Sequence, residues 1–299
     1  MADIAASVLA RLKNKAQESG ISYQLCLQLF CQEEFLRRLE KSKYSDNFVL
    51  KGGLFIYSIT DFDSRITVDI DFLLRKMPNT PEKLKEALED IINCKTGNDF
   101  ITFEIKSVLP IAVAKKYLGI GASLLAKIKN TKTPFTIDFG VGDVIVPKQE
   151  KRKMPTQLED FVEPKINTYS LETTIAEKLD AILSLMELTS RMKDCYDIYY
   201  LANKFDFNGG VLAEALKQTF NNRNRCFTIE QFEHVLTFSN DNAMQKKWNS
   251  FCIKISTINI DYNDVLNTIK IFLTDPYKAA IESKSITKNW SAAENKWIN

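Results

Sequence analysis

The stretch Arg65-Ile66-Thr67-Val68-Asp69-Ile70-Asp71-Phe72 alternates between polar and apolar residues, which predicts a β-strand with one buried face. Its apolar face comprises Val68, Ile70 and Phe72, and its polar face comprises Thr67, Asp69 and Asp71. Two carboxylates on one strand face repel each other unless a cation lies between them. Because hard divalent ions favour oxygen ligands, the pair predicts a Mg²⁺ or Mn²⁺ site. The alternative is an edge strand whose aspartates are simply solvated.

Two further features accompany this stretch. Lys51-Gly52-Gly53 lies where a predicted strand over 48–51 turns into a short helix, and glycines there let a phosphate approach the backbone amides. Asp138 lies on the polar face of a second alternating strand over 134–139. Three carboxylates from two strands suit metal-dependent phosphoryl or nucleotidyl transfer, and the third can take the proton of the incoming hydroxyl. Taken alone, the glycines are an ordinary turn and Asp138 a turn-capping residue.

The second half of the chain has helical periodicity and a group of charged residues. Lys178 borders the apolar stripe of a helix that Ser170 caps. Its side chain either lies along that stripe with the charge in water or points at a bound triphosphate. Arg191, Asp194 and Asp197 are spaced by three on the next helix, which is typical of an ion-pair ladder along one helix and is compatible with a functional role.

The composition excludes several classes of enzyme. A chain of 299 residues, 45% hydrophobic and 26% charged, is typical of a globular protein of two domains. The formal net charge is +2, so any contact with nucleic acid depends on local clusters. The single histidine excludes His-based triads and zinc motifs, and six cysteines without a C-x-x-C pair predict free thiols in a reducing compartment. The N-terminus lacks a signal-peptide pattern, so we expect a cytoplasmic protein.

The predicted elements divide the chain into two domains of the α+β class. Residues 1–150 contain two N-terminal helices and the alternating strands, which predicts a mixed sheet with flanking helices. Residues 151–168 are rich in proline and lysine and are interpreted as a connector. Residues 169–299 have helix caps and helical periodicity, which predicts a helical second domain.

Five motifs in a fixed order resemble the AbiEii/AbiGii toxin family of the DNA polymerase β-like nucleotidyltransferases, which includes the MenT toxins. They are Phe48–Gly53, Arg65–Phe72, Thr136–Gly140, Glu172–Leu179 and Ser190–Asp197. The resemblance covers about residues 7–205 and implies a bi-lobed nucleotidyltransferase fold. It also implies a toxin of a bacterial type IV, AbiE-like abortive-infection system for phage defence. Its implied partner is an AbiEi-like antitoxin repressor that does not bind the toxin directly.

Carried onto this sequence, the resemblance implies a set of site residues. The implied metal ligands are Asp69, Asp71 and Asp138. The implied nucleotide contacts are Lys51, Gly52, Gly53, Arg65, Thr67 and Lys178, and the implied catalytic set is Asp69, Asp71, Asp138, Lys178, Asp194 and Asp197. The family often has arginine directly before Asp194, where this chain has Lys193, with Arg191 two residues earlier. The basic partner of Asp194 is therefore left open.

The sequence thus predicts an enzyme that binds Mg²⁺ and an NTP between two lobes and transfers the NMP to an acceptor hydroxyl, releasing pyrophosphate. Relatives imply tRNA 3′ ends as the acceptor, and three clusters are candidates for binding RNA phosphates. These clusters are Lys151–Lys153, Lys127 with Lys129, and Arg223 with Arg225, and each is also typical of a solvated surface. Two alternatives stay open: a metal-dependent nuclease or phosphohydrolase, and a catalytically idle nucleotide-binding protein.

Overall fold

The computed structural model describes residues 3–111, 119–255 and 259–299. These residues divide into two units. The first comprises the described residues of Met1–Gly142 and Glu150–Thr168, and the second those of Asp143–Gln149 and Tyr169–Asn299. A mixed sheet with flanking helices in the first unit and a mainly helical second unit confirm the predicted α+β class. Within the described residues, no helix is long and apolar enough to cross a membrane.

A seven-stranded mixed sheet forms the centre of the first unit as far as it is described. Its strands are β1 Phe48–Lys51, β2 Ile70–Leu74, β3 Ile101–Pro110, β4 Ile120–Ile128, β5 Thr131–Gly140, β6 Glu150–Lys153 and β7 Lys165–Thr168. Their order across the sheet is β3-β4-β5-β2-β1-β7-β6. β2 is parallel to β5 and β1 to β7, whereas the other neighbours are antiparallel. This order places β2 between the two other strands that carry motif residues, β1 and β5.

The helices of the first unit begin at the capping residues that the sequence provides. They are α1 Ile4–Ser19, α2 Tyr23–Lys41, α3 Gly52–Ile59 and α4 Pro81–Ile92. The side chains of Asp3, Ser22 and Thr80 accept hydrogen bonds from first-turn amides of α1, α2 and α4. Pro81 occupies the first position of α4, where its missing N–H leaves no hydrogen bond unmade. Local side-chain chemistry therefore fixes where three of these helices start.

Phenylalanine side chains pack against one face of the sheet. Phe48 of β1, Phe72 of β2 and Phe139 of β5 are buried, with ring centroids 5.3–6.0 Å apart. Burial of each such side chain contributes about 1.5–3 kcal/mol. Because successive strand residues point to opposite faces, burial of Phe72 and Phe139 directs Asp71 and Asp138 to the other face.

The second unit consists of helices and one small sheet. The helices are α5 Leu171–Leu185, α6 Met192–Lys204, α7 Gly209–Asn222, α8 Ile229–Val235, α9 Asn242–Ile255 and α10 Tyr262–Glu282. The strands β8 Phe207–Asn208, β9 Asn289–Ser291 and β10 Lys296–Ile298 form an antiparallel sheet in the order β10-β9-β8. The sequence did not indicate these strands because each is too short to show a period of two. Packing fixes them: Trp290 is buried and donates its indole N–H to the Ala202 carbonyl.

The segment 151–168, which the sequence suggests is a connector, contributes two strands to the large sheet. It contains most of β6 and all of β7, which pair with each other, and β6 lies at the sheet edge. The sequence of β6, Glu-Lys-Arg-Lys, has no apolar alternation, as is common for edge strands whose charges discourage pairing with another chain. The connector interpretation is corrected: this segment belongs to the sheet.

Candidate active site

Asp71 and Asp138 are lateral neighbours on the sheet. β2 and β5 run parallel, and their register pairs Asp71 with Asp138 between apolar pairs on either side. Adjacent strands lie about 4.8 Å apart, so paired side chains on the same face are close together. The neighbouring apolar pairs are buried, whereas Asp71 is half-buried and Asp138 is exposed. The register therefore brings two of the three predicted carboxylates together on the accessible face of the sheet.

Asp69 lies one residue before β2 and is exposed. Desolvation by the surrounding protein and the neighbouring charge of Asp69 raise the pKa of Asp138 above its ordinary value. The third carboxylate is thus close enough to act on Asp138 electrostatically. Across residues 3–111, 119–255 and 259–299, the carboxylate, thiol and imidazole groups nowhere form a ready-made site of three metal ligands. Asp69 and Asp138 therefore repel each other and Asp71 pairs with Asp138 in the sheet register, but the three residues do not form a closed metal site.

The segment 65–69 differs from the predicted strand. β2 begins only at Ile70, where its pairing with β5 starts. Val68, expected on the buried face, is 40% exposed, whereas Thr67, expected on the polar face, is 8% exposed. The burial is inverted because this segment lies outside the sheet and places Thr67 beside Gly53. Arg65 is half-buried in the same segment.

The turn between β1 and α3 lies against two of the predicted site residues. Lys51, the last residue of β1, is paired with Asp71 in the antiparallel register of β1 and β2. Gly52 has φ +72°, and a Cβ atom there would lie 2.2 Å from Asp71 Oδ2. A Cβ atom at Gly53 would lie 2.7 Å from Thr67 Oγ1. Both positions require glycine, because the backbone of the turn directly adjoins a predicted metal ligand and a predicted nucleotide contact.

In the second unit, Lys178 of α5 contacts two aspartates of α6. Its Nζ lies 3.0 Å from Asp194 Oδ1 and 2.6 Å from Asp197 Oδ2, and all three residues are buried. Burial alone raises the pKa of Asp194, but the charges of Lys178 and Arg191 outweigh it and hold the pKa below its ordinary value. The ion pairs of Lys178 therefore link α5 to α6, whereas the pair of Arg191 with Asp194 lies along α6 itself.

The basic partner of Asp194, left open by the sequence, is Arg191. Its Nε donates a hydrogen bond to Asp194 Oδ2, whereas Lys193 is exposed. Arg191 lies at the N-cap of α6, three residues before Asp194, so the pair spans the first turn of the helix. The arginine lies two positions earlier in this sequence than in the family pattern, but it still contacts this aspartate.

Sequence reasoning missed a second ion cluster in the same unit. Arg223 Nη1 and Arg225 Nε lie 2.8 Å and 2.9 Å from the two carboxylate oxygens of Asp180. Arg223 Nη2 also lies 2.9 Å from Asp143 Oδ1 and 3.3 Å from Glu177 Oε1. Glu177 and Asp180 flank Lys178 along α5, and their three-residue spacing is the signal that could have indicated a shared partner. The arginines thus neutralise carboxylates close to Lys178 in the chain.

The local basic clusters expected to bind RNA are largely paired with carboxylates of their own unit. The pairs are Lys127 with Glu104, Lys129 with Asp3, Arg152 with Glu150, Lys153 with Glu163, Arg223 with Asp143, and Arg225 with Asp180. A cation that already has a carboxylate partner gives less net attraction to a phosphate. The expectation that these clusters form an RNA-binding surface therefore loses its electrostatic support.

Most of the chain matches a known protein family. A family model described as nucleotidyl transferase AbiEii toxin, type IV toxin-antitoxin system, matches residues 34–268. The chain belongs to the AbiEii family. As an AbiEii member it is a nucleotidyltransferase-type toxin, and the type IV system implies an antitoxin as its partner. The matched range contains every predicted site residue, from Lys51 to Asp197.

Solved structures similar to this AbiEii protein include MenT4, the nucleotidyltransferase toxin Rv2826c from Mycobacterium tuberculosis H37Rv. The two chains are 15% identical, and the match has a TM-score of 0.56 over 93% of this chain and 99% of MenT4. JHP933 from Helicobacter pylori matches with a TM-score of 0.45 and 15% identity, over 88% of this chain and 94% of its own. No protein of curated function matches the sequence. The MenT4 match confirms the predicted nucleotidyltransferase toxin fold.

Proposed function

We propose that this AbiEii protein transfers a nucleoside monophosphate from an NTP to the 3′ hydroxyl of tRNA, with Mg²⁺ or Mn²⁺ bound by Asp69, Asp71 and Asp138. The observation that carries the proposal is the register of Asp71 with Asp138 directly beside the turn at Gly52. The tRNA acceptor is the one that the family resemblance implies. The nucleotide base is left open, because none of these residues selects it.

The three carboxylates fit a hard divalent cation. All donors are oxygen, which Mg²⁺ prefers; Asp71 and Asp138 lie on neighbouring strands, and Asp69 directly precedes one of them. Desolvation first and the charge of Asp69 second raise the pKa of Asp138, and a bound cation relieves the part that is due to Asp69. A bound metal ion supplies neutralisation of the negative charge that develops on the phosphates.

The remaining steps belong to residues of the chain. The backbone amides at Gly52 and Gly53 bind phosphate oxygens at the start of α3, where the absence of side chains permits close approach. Asp138 accepts the proton of the acceptor hydroxyl. The acceptor oxygen bonds to the α-phosphorus as the bond from that phosphorus to the bridging α–β oxygen breaks, and pyrophosphate leaves. Arg65 and Thr67 are the proposed further contacts of the nucleotide.

We also propose that Lys178 contacts the triphosphate, as the family resemblance implies, by donating N–H hydrogen bonds, because its two aspartate partners balance most of its charge. Asp194 and Asp197 orient its ammonium group through the two short contacts, and Arg191 keeps Asp194 ionised. A lysine fixed in this way loses little conformational freedom when it binds an anion. Asp194 and Asp197 act on the reaction through Lys178 and are therefore positioning residues.

The family resemblance also supports a proposal for the biological setting. We place the toxin in the cytoplasm, in an abortive-infection system that limits phage growth. Its antitoxin is an AbiEi-like repressor that acts without a direct complex. Co-purification of the two proteins expressed together tests this last point, because a stable complex would contradict it.

The decisive experiment incubates the purified protein with each α-³²P-labelled NTP, Mg²⁺ and total bacterial RNA. The matched control is the Asp69→Asn, Asp71→Asn variant, which keeps side-chain size and removes the metal ligands. We expect label on a tRNA-sized band with the wild-type protein alone. The labelled NTP that works also identifies the nucleotide.

Three other results would each overturn part of the proposal. Label on protein instead of RNA would move the acceptor to a side-chain hydroxyl. Shortened RNA without label, independent of Gly53 and Lys178, would indicate a metal-dependent nuclease. Toxicity in cells that survives the double substitution would indicate an idle nucleotide-binding protein that acts by sequestration.

A further inference from the structure

We propose that Gln32 is a positioning residue for Asp69, acting through the backbone carbonyl of Val68. The inference rests on the proposed function, because it assigns Asp69 to the metal site. Gln32 precedes the range 34–268 that the family model matches, so family membership gives it no role. Its neighbour Gln28, one helical turn earlier on α2, shares the contact.

Both glutamines bind the same carbonyl oxygen. Gln32 Nε2 donates to the Val68 oxygen at 2.7 Å, and Gln28 Nε2 donates to it at 3.0 Å. A carbonyl oxygen has two lone pairs and can accept both bonds. That carbonyl belongs to the peptide group that joins Val68 to Asp69, and a peptide group is planar. The two hydrogen bonds to this oxygen therefore fix the orientation of the peptide plane that leads into Asp69.

Residues 65–69 lie outside the hydrogen-bond ladder of the sheet. β2 and its ladder of hydrogen bonds begin at Ile70, after Asp69. The side chain of Val68 is 40% exposed, so packing does not hold this residue, and Thr67 is the buried anchor of the segment. α2, by contrast, is buried from Cys26 to Leu39 along most of its length. The two glutamines thus connect an irregular segment to a well-packed helix.

Gln32 is an unusual choice for a purely structural position. It is 1% exposed, and within the described residues its Oε1 is buried without a hydrogen-bond partner. A buried, unpaired amide oxygen lowers stability, and an apolar side chain of the same size would avoid that cost. The Nε2 group is what an apolar side chain cannot supply, and the Val68 carbonyl is where that group binds. Glutamine is therefore present at position 32, despite the cost of its unpaired oxygen, because its Nε2 group binds the Val68 carbonyl.

The test compares wild type with Gln32→Met, which keeps the side-chain length and removes both polar atoms. We expect faster amide hydrogen exchange in residues 66–70 and about five- to tenfold weaker Mn²⁺ binding, as expected for loss of one hydrogen bond. The unfolding temperature should stay equal or rise, because the unpaired oxygen is gone. Gln24→Met, at an exposed position of the same helix, should leave all three quantities unchanged.

The outcomes separate this inference from the proposed function. If either local exchange or Mn²⁺ affinity in Gln32→Met equals the wild-type value, the inference is overturned, even when wild type transfers nucleotide. If wild type binds Mn²⁺ but labels no acceptor, the proposed transfer fails, while the two shifts in Gln32→Met still support the positioning role.

Discussion

Glycine at position 52 is required by both its backbone conformation and its neighbour. Alanine there would place Cβ 2.2 Å from Asp71 Oδ2 in a backbone with φ +72°. The carboxylate or the turn must then move, and a displacement of about 1 Å at a reacting site can reduce the rate about a hundredfold. We expect Gly52→Ala to lose about a hundredfold in nucleotide transfer, measured as labelled RNA per unit time.

Gly97 provides the matched control for this substitution. It also has a positive φ, +89°, but a Cβ atom there would meet nothing within 4 Å. Gly97→Ala therefore shares the backbone strain, roughly 1–2 kcal/mol, without the collision. It should lower thermal stability and leave transfer intact. Equal loss of activity in the two variants would show that strain, and not the contact with Asp71, is responsible.

The raised pKa of Asp138 predicts a pH-dependent loss of stability in the metal-free protein. The ordinary value of 3.8 applies to the unfolded chain, and the folded chain binds the proton more tightly. The free energy of unfolding therefore falls as pH rises from 3.8 through the raised value. We expect Asp138→Asn to unfold at a higher temperature than wild type at neutral pH, with the difference disappearing at about pH 3. Wild type at least as stable as the variant at neutral pH would contradict the raised pKa of Asp138.

Some of these residues were predictable and others were not. Asp69, Asp71 and Asp138 stand out because alternation of charge and apolar residues is a local pattern. The contact of Gly52 with Asp71 and the bond from Gln32 to the Val68 carbonyl join residues that are far apart in the sequence. Such contacts depend on strand order and register, which a local pattern does not specify.

Among the secondary-structure elements, α5 and α6 are linked by the buried ion pairs of Lys178. Lys178→Met leaves two buried carboxylates without this partner, and breaking a buried ion pair in that way costs about 3–5 kcal/mol. We expect a loss of that size in the free energy of unfolding, measured by urea denaturation. Lys193→Met, at an exposed position of α6, is the control and should change it by no more than about 0.5 kcal/mol. Similar values for the two variants would mean that the buried cluster contributes no stability.

The long elements were predictable because their periods are long enough to read. The strand predicted over 134–139 forms the later part of β5, and α5 begins directly after its predicted cap, Ser170. β6 was not recognised because an edge strand of charged residues resembles a linker. β9 and β10 have three residues each, and their formation depends on the burial of Trp290.

At the scale of the whole chain, charge is balanced both in total and locally. The net charge is +2, and most cations of the three basic clusters have carboxylate partners. The sequence showed the total and the clusters, but the pairing could not be predicted. Lys127 and Glu104, for example, belong to different strands, and they meet because β3 and β4 are adjacent.

This balance predicts that RNA binds with a weak dependence on salt. Affinity for a single-stranded end falls with salt in proportion to the number of phosphates that cations neutralise. With about three phosphates or fewer, raising KCl from about 50 to 200 mM should weaken tRNA binding by about twentyfold at most. Fluorescence anisotropy of labelled tRNA measures this, with the Asp69→Asn, Asp71→Asn variant in parallel, since substitution of metal ligands should leave the slope unchanged. A loss of about a thousandfold or more would instead mean that an extended basic surface forms in the presence of RNA, from cations that exchange their carboxylate partners for phosphates.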